Sequence, residues 1–314
     1  MFNFFKKEKI RPNSVLEFQG HPDSKQLVEY MKKGNWVELE KGLDRLSNDD
    51  LYPVLRGLSE FATDWEEVPD IPKVGRLALL KCYVQIIEAW LARSGKKAVD
   101  VSDEQFELFE HKLNELDDLI EKYIRLNKSC PLVFMPKFKM CMGLGYSSNE
   151  LYQVFIAYNR DTGSHLSSHI SMAYALTEQW GGSHTELFSF CRTSQKLDAR
   201  FSPLVAYAHF MRWFYNQHWE DESEDKTYFL QASVQEEIEE AFNQYVELQV
   251  PVFEKQIGMN YFAFCFSKGS SNYYLRESLK YVHRSVLPDT WSNDYADIVD
   301  GVNVMRQYCQ LPKI

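Results

Sequence analysis

The sequence predicts an all-α fold: an irregular array of antiparallel helix pairs of the α-solenoid kind, with about a dozen helices. In most segments apolar residues recur at steps of three and four, and glycines and prolines separate these segments at intervals typical of helices. No segment alternates apolar and polar residues for long enough to require a strand. Hydrophobic residues make up 45% of the 314 residues, so the chain can bury a large core.

The N-terminal part of the chain begins with a predicted helical hairpin. Asn35 is placed to cap the second helix of this hairpin, and Gly95 ends the strongly apolar helix that closes the segment. The predicted helices of this part span residues 23–33, 36–46, 50–61 and 74–94.

Ser102 is placed to cap the longest regular helix, which ends near Asn127. Its apolar seam consists of Phe106, Phe109, Leu113, Leu116, Ile120 and Tyr123. Because the seam stops after these residues, we expect it to pack against helices of the same chain and not to form a dimeric coiled coil. The later predicted helices span residues 138–144, 149–161, 166–180, 204–218, 228–248, 251–268, 272–286 and 292–309.

A basic, flexible link at Gly95-Lys96-Lys97 is the predicted domain boundary. It divides the chain into an N-terminal arm (1–22), an N-terminal helical subdomain (23–96) and a C-terminal helical-repeat region (97–314). The last two alternatively form one continuous domain. The arm carries three phenylalanines beside lysines, and a mobile or locally docked arm is favoured over one that binds a membrane surface.

Composition and charge exclude several classes of protein. The 45 acidic and 35 basic side chains give a formal charge of −10, which argues against nucleic-acid binding and is compatible with a basic partner. The six cysteines include no close pair, so neither a zinc knuckle nor a disulfide framework is predicted. No run of residues has the pattern of a signal peptide or a membrane span, and we therefore expect a cytoplasmic protein.

The segment around Trp180 is predicted to be a corner between two helices. Gly181 and Gly182 suit the left-handed backbone that ends a helix, and Ser183 is placed to cap the next one. Glu186, three residues after the serine, completes a capping box. Trp180 is the expected packing anchor of this corner.

The run from Ser168 to Arg192 resembles a pattern in uncharacterised bacterial helical-repeat proteins. In that pattern a helix ends in Trp-Gly-Gly-Ser, and the following helix carries an aromatic residue and an arginine. The resemblance covers one helical hairpin, about a tenth of the chain, and implies a tetratricopeptide-like bacterial protein of unassigned function. It brings no catalytic residues, and no strict 34-residue period is visible in the sequence.

Ser183 and two histidines are the candidates for catalysis. Gly181 to Thr185 comes within one residue of the GxSxG nucleophile elbow, but a helix is predicted before it where the elbow requires a strand. His165 and His169 are spaced by one helical turn, as two metal ligands would be, yet no third ligand is apparent. We therefore predict no catalytic residue, no metal and no cofactor.

Two predicted helices are rich in aromatic residues, one between Phe210 and Trp219 and the other between Tyr261 and Phe266. These residues either line a groove for a partner or form a crowded core between helices. The core is the favoured interpretation.

The lack of a complete catalytic motif favours a non-enzymatic module that binds another protein, such as a basic toxin domain that it neutralises. The candidate binding surface is an acidic run after the first aromatic-rich helix. Its residues are Trp219, Glu220, Asp221, Glu222, Glu224 and Asp225. The alternative is a hydrolase or metal-dependent enzyme whose site is assembled from His165, His169 and Ser183.

Overall fold

The protein is described by a computed structural model that covers residues 23–63, 70–94, 100–127, 130–162, 164–219, 225–269, 271–282, 286, 288–291 and 298–314. Within these ranges every regular element is a helix, which confirms the all-α prediction. The chain forms two compact units, Met1–His165 and Leu166–Ile314. The division that the sequence suggested at Gly95-Lys96-Lys97 stays a prediction.

Side-chain caps begin four helices of the first unit, since Asn35, Ser47, Ser102 and Ser147 each accept from the backbone N–H three residues later. The Asn35 carboxamide oxygen accepts a hydrogen bond from the Glu38 N–H at 3.5 Å, and Ser102 and Gln105 form a capping box with two 3.3 Å hydrogen bonds. The α-helices of this unit are α1 (Ser24–Lys32), α2 (Trp36–Asp44), α3 (Asn48–Thr63), α4 (Gly75–Arg93), α5 (Asp103–Leu126), α6 (Phe134–Gly143) and α7 (Ser148–Thr162). A short 3-10 helix, Pro131–Val133, precedes α6.

The core of the first unit lies around α4, which packs against α3 and α5. Trp90 of α4 meets Phe109 of α5 edge to face, with ring centroids 5.0 Å apart. Every seam residue of α5 except Phe106 is buried. The prediction that the seam packs against helices of the same chain is therefore confirmed.

The second unit is built around two helices that are apolar on nearly every side. Its α-helices are α8 (Leu166–Ala175), α9 (His184–Leu197), α10 (Pro203–Trp219), α11 (Ala232–Tyr245), α12 (Val252–Lys268), α13 (Asn272–Leu279), α14 (Pro288–Trp291) and α15 (Ile298–Tyr308). Short 3-10 helices lie at Glu178–Trp180, Ala199–Phe201 and Asp225–Leu230. No helix in the described ranges of either unit combines the length and apolar character needed to cross a membrane.

Helix α12 forms the centre of the second unit, since all of its residues from Phe253 to Phe266 are buried. Phe264 meets Phe210 and Trp213 of α10, in both cases with ring centroids 5.1 Å apart. A helix that is buried all round must be enclosed by other elements. Phe210, Trp213 and Phe214 of α10 therefore form a core with the aromatic residues of α12, in agreement with the interpretation that the sequence favours.

Three helix C-termini are capped by cations from other helices. Lys255 donates to the carbonyl oxygens of Tyr245, Val246 and Leu248, at 2.8–3.0 Å, where α11 ends. Arg76 binds the end of α2 in the same way, and Arg306 binds the end of α13. These contacts satisfy carbonyl groups that a helix leaves without partners, and they place positive charge at the negative end of the helix dipole.

Some predicted helix limits are wrong. The sequence predicted that α6 begins after Pro136, but the helix begins at Phe134 and includes this proline. Pro136 is tolerated there because it lies in the first turn, where the backbone N–H has no partner within the helix. The segment predicted as a single helix over 228–248 starts with the 3-10 helix Asp225–Leu230, and α11 follows from Ala232. Both differences concern helix ends, where sequence signals are weakest.

Candidate functional site

The corner before α9 differs from its prediction in where the first helix ends. Helix α8 stops at Ala175, and Thr177 takes an extended backbone with ψ of 156°. The Thr177 hydroxyl donates to the Tyr174 carbonyl oxygen at 2.7 Å, a local bond that competes with continued helix. The 3-10 helix Glu178–Trp180 follows, and it ends at Gly181 with φ of +83°. The predicted helix over 166–180 is therefore wrong in its last third.

Gly182 and Ser183 start the next helix. A Cβ atom on Gly182 would lie 2.2 Å from the Leu176 carbonyl oxygen, so this position requires glycine. Ser183 Oγ accepts from the Glu186 N–H at 3.2 Å and donates to Glu186 Oε2 at 2.8 Å. The carboxylate thus binds the serine hydroxyl and not the backbone N–H of a standard capping box. The hydroxyl that the alternative prediction assigns to a nucleophile is engaged as both donor and acceptor within the helix cap.

Side chains of the corner contact two neighbouring helices. Trp180 meets Tyr174 of α8 edge to face, with centroids 5.8 Å apart, and His184 meets Tyr215 of α10 at 5.4 Å. His184 Nε2 also lies 3.8 Å from Glu178 Oε1. The corner therefore fixes α8, α9 and α10 relative to one another.

The two histidines proposed as metal ligands have different environments. The His169 ring is buried and lies nearly parallel to Phe201, with centroids 3.8 Å apart and an interplanar angle of 19°. His165 precedes the first residue of α8 and is half-buried. Among the described residues, no group of three or more His, Cys, Asp or Glu side chains is arranged to hold a metal ion. His169 instead contributes to the aromatic packing of the second unit.

The acidic run lies mostly outside the described residues. Glu220, Asp221, Glu222 and Glu224 are outside them, while the backbone of Trp219 ends α10 and that of Asp225 begins a 3-10 helix. The run therefore joins the end of α10 to the 3-10 helix that leads into α11.

A second acidic surface lies on α11. Glu236 and Glu240 are exposed and Glu239 is half-buried, and none of the three forms a salt bridge with another described residue. Glu240 accepts only a neutral hydrogen bond, from Gln244 at 3.3 Å. We call Glu236, Glu239 and Glu240 the acidic face of α11. Its negative charge is not compensated within the described part of the fold.

A polar network that the sequence did not predict joins several elements of the second unit. His209 Nδ1 on α10 lies 2.6 Å from Tyr228 Oη, and His209 Nε2 lies 3.1 Å from Glu237 Oε2 on α11. The guanidinium of Arg192, on α9, donates to both Glu237 carboxylate oxygens, at 2.5 and 2.8 Å. The Arg192 guanidinium carbon lies 4.9 Å from the centroid of the Phe188 ring, and this ring meets the His209 ring edge to face.

Charge and burial fix the protonation of this network. Burial lowers the pKa of His209, so its ring is neutral at pH 7. Desolvation raises the pKa of Glu237, but the hydrogen bonds and positive charge of Arg192 and the bond to His209 outweigh it and lower this pKa to about 2. Because the carboxylate only accepts, the ring proton lies on Nε2, and Nδ1 accepts from the Tyr228 hydroxyl.

The order of carboxylate, imidazole and hydroxyl is also that of a catalytic triad. In such a triad, however, the hydroxyl must reach a substrate. Tyr228 and His209 are only 4% and 3% exposed. The network therefore ties α9, α10 and α11 together from within, and its chemistry is that of a structural clamp.

The sequence holds a single signal for this network. His209 is a polar residue within a long apolar stretch of α10, and a buried polar group requires a partner. Its partners lie on other elements, at sequence separations that no local pattern links. Arg192 lies at the end of the run that resembles helical-repeat proteins, and its neighbours in sequence give no sign of a partner on α11.

The comparisons with known proteins found no family model, curated protein or solved structure with a significant match to the chain. The resemblance to helical-repeat proteins with a Trp-Gly-Gly-Ser corner therefore stays a prediction.

Proposed function

We propose that this protein is a non-enzymatic interaction module of the bacterial cytoplasm that binds a basic protein, such as a toxin domain, and neutralises it. The observation that supports this proposal best is the acidic face of α11, where three glutamates share one side of a helix without a salt bridge to any described residue. The acidic run that precedes α11 in sequence carries charge of the same sign.

Like charges on one helix face destabilise that helix by a few tenths of a kcal/mol per pair. A partner with positive charge would relieve this repulsion, so binding such a partner is electrostatically favourable for this surface. Charge complementarity of this kind mainly raises the association rate and disfavours wrong partners. The proposed binding is therefore fast and weakens as salt concentration rises.

Charge reversal on two helices tests the proposal. One variant of the full chain carries Glu236→Lys, Glu239→Lys and Glu240→Lys, and each form is used to capture proteins from a bacterial lysate. The matched control carries three lysines on α5, at positions that are also acidic and exposed: Glu107, Glu110 and Asp118.

We expect the wild-type chain and the α5 control to retain the same basic protein, and the α11 variant to lose it. Raising the salt concentration should release the protein from both forms that bind it. Equal retention by the two variants, or an acidic captured protein, would contradict the proposal.

A further inference from the structure

His209 lies at the centre of the polar network in the second unit, and side chains from four elements lie around its ring. Glu237 of α11 accepts from Nε2 at 3.1 Å, and the same carboxylate binds Arg192 of α9. Tyr228, in the 3-10 helix Asp225–Leu230, places its hydroxyl 2.6 Å from Nδ1. Arg212, on α10 itself, has its guanidinium carbon 5.2 Å from the centroid of the Tyr228 ring. The imidazole is thus surrounded by charged side chains and a hydroxyl.

A proton on His209 would unbalance the charges of this cluster. With a neutral ring, the positive charge of Arg192 and the negative charge of Glu237 offset each other. The buried Cys191 thiol beside them adds no charge, because burial raises its pKa. A protonated ring would place two cations on one carboxylate, in a site where His209 is only 3% exposed. Burial is the largest cause that lowers the pKa of this ring; Arg192 and Arg212 also lower it, and the carboxylate opposes them.

The hydrogen bond to Tyr228 is the one that protonation of His209 would reverse. Nε2 carries a proton in both forms of the ring and continues to donate to Glu237. Nδ1 accepts from the Tyr228 hydroxyl in the neutral ring but becomes a donor in the charged ring. The hydroxyl would then need a new acceptor for its own proton, although Tyr228 is only 4% exposed. The cost of protonation in the closed structure therefore falls on Tyr228.

We propose that His209 is a proton sensor that releases the 3-10 helix Asp225–Leu230 when the pH falls. In the closed form Tyr228 binds the neutral ring, and the buried Phe229 next to it packs against Trp213 with ring centroids 6.3 Å apart. In the open form the imidazole is protonated and in contact with water, and the tyrosine hydroxyl binds water instead. The core around α12 remains folded in both forms, so the release is a local opening.

Proton binding sets the direction and the size of the effect. The closed ring has a lowered pKa, whereas the open ring regains its ordinary pKa of 6.5. The open form therefore binds more protons below pH 6.5, and the fraction of open molecules rises as the pH falls. For a single proton, the rise between pH 7 and pH 5.5 is at most about eightfold.

This proton sensor goes beyond the proposed function and does not depend on it, because it can be measured on the purified chain alone. The two are nevertheless linked, since the 3-10 helix joins the acidic run to α11. Its release would change the segment between the two acidic surfaces.

Hydrogen–deuterium exchange of the full chain at pH 7 and pH 5.5, corrected for the effect of pH on unstructured amides, tests the proposal. The Gln231 N–H donates to the Tyr228 carbonyl oxygen at 3.2 Å, so its protection reports whether the 3-10 helix is closed. The amides of α12 report unfolding of the whole second unit, since this helix is buried from Phe253 to Phe266.

Two variants remove the titration of this ring. His209→Gln keeps a donor towards Glu237, and His209→Asn keeps an acceptor towards Tyr228. Circular dichroism confirms that each variant keeps its helices.

We expect the protection of the Gln231 amide in the wild type to fall about three- to eightfold between pH 7 and pH 5.5, and to stay below that of α12 at both pH values. In the folded variants it should change less than about twofold, because neither amide side chain titrates. A wild-type chain whose Gln231 protection does not change with pH would overturn the proposal. Exchange of Gln231 in step with α12, or a fall of the same size in both variants, would also overturn it.

Discussion

Replacing Glu237 with glutamine should destabilise the second unit, because this carboxylate accepts from Arg192 and His209 together. The glutamine amide keeps the shape of the side chain but carries no charge. Its NH2 group would face an N–H donor of Arg192 or His209, where the carboxylate oxygen accepted a hydrogen bond. The substitution therefore tests the charge of the clamp and leaves its volume unchanged.

The pKa of Glu237 gives the size of the effect. Its fall from 4.5 to about 2 corresponds to about 3 kcal/mol of preferential stabilisation of the charged form. Solvent screens part of this interaction, since 26% of the side chain is exposed, and we reduce the expected loss to about 2 kcal/mol.

Denaturant unfolding at pH 7 measures this loss, with Glu236→Gln as the matched control because Glu236 is the preceding residue and forms no salt bridge with a described residue. The control should change the free energy of unfolding by less than about 0.5 kcal/mol.

The pH dependence of stability gives a second test of the Glu237 interaction. The native carboxylate has the lowered pKa, so its contribution to stability is complete above pH 4.5 and is lost as the pH falls towards 2. The difference in the free energy of unfolding between wild type and Glu237→Gln should therefore be constant from pH 7 down to about pH 5. Equal effects of the two substitutions would refute the clamp.

Three further predictions concern the corner, a buried cation and a histidine. Ser183→Ala should lower the free energy of unfolding by about 1 kcal/mol through the lost cap, and Gly182→Ala should cost more because the new Cβ would clash with a carbonyl oxygen; thermal unfolding of both compares them. Lys255→Met should cost about 2–3 kcal/mol in chemical denaturation, since three carbonyl groups at the end of α11 lose their donor. Burial lowers the pKa of His209, so stability should decline as the pH falls below 6.5, where the unfolded chain gains a proton that the native ring refuses; the slope of stability against pH should be smaller in His209→Asn.

Helix caps and the α5 seam could be predicted because their signals are local. Asn35, Ser102 and Ser183 all cap the helices that their sequence context indicates, since a cap and its partner lie within three residues. The apolar spacing of α5 likewise specified which of its faces is buried, apart from Phe106 at the end of the seam.

The polar network and the cation caps could not be predicted, because each joins elements that are distant in sequence. Arg192 and Glu237 meet only once α9 and α11 have both packed against α10. Nothing in the residues around Lys255 indicates that it reaches the end of the preceding helix and not solvent. The break after Ala175 was missed for a different reason: the apolar period continues through Leu176, and only the Thr177 hydroxyl favours the turn.

Carbodiimide crosslinking tests the proposed function most directly, because it joins carboxylates to lysines in contact. Mass spectrometry of the crosslinked complex between the full chain and its captured basic protein would show which acidic residues face the partner. We predict crosslinks at Glu236, Glu239 and Glu240, and their loss at high salt. Crosslinks confined to the acidic residues of α5 would contradict the proposal that α11 carries the binding surface.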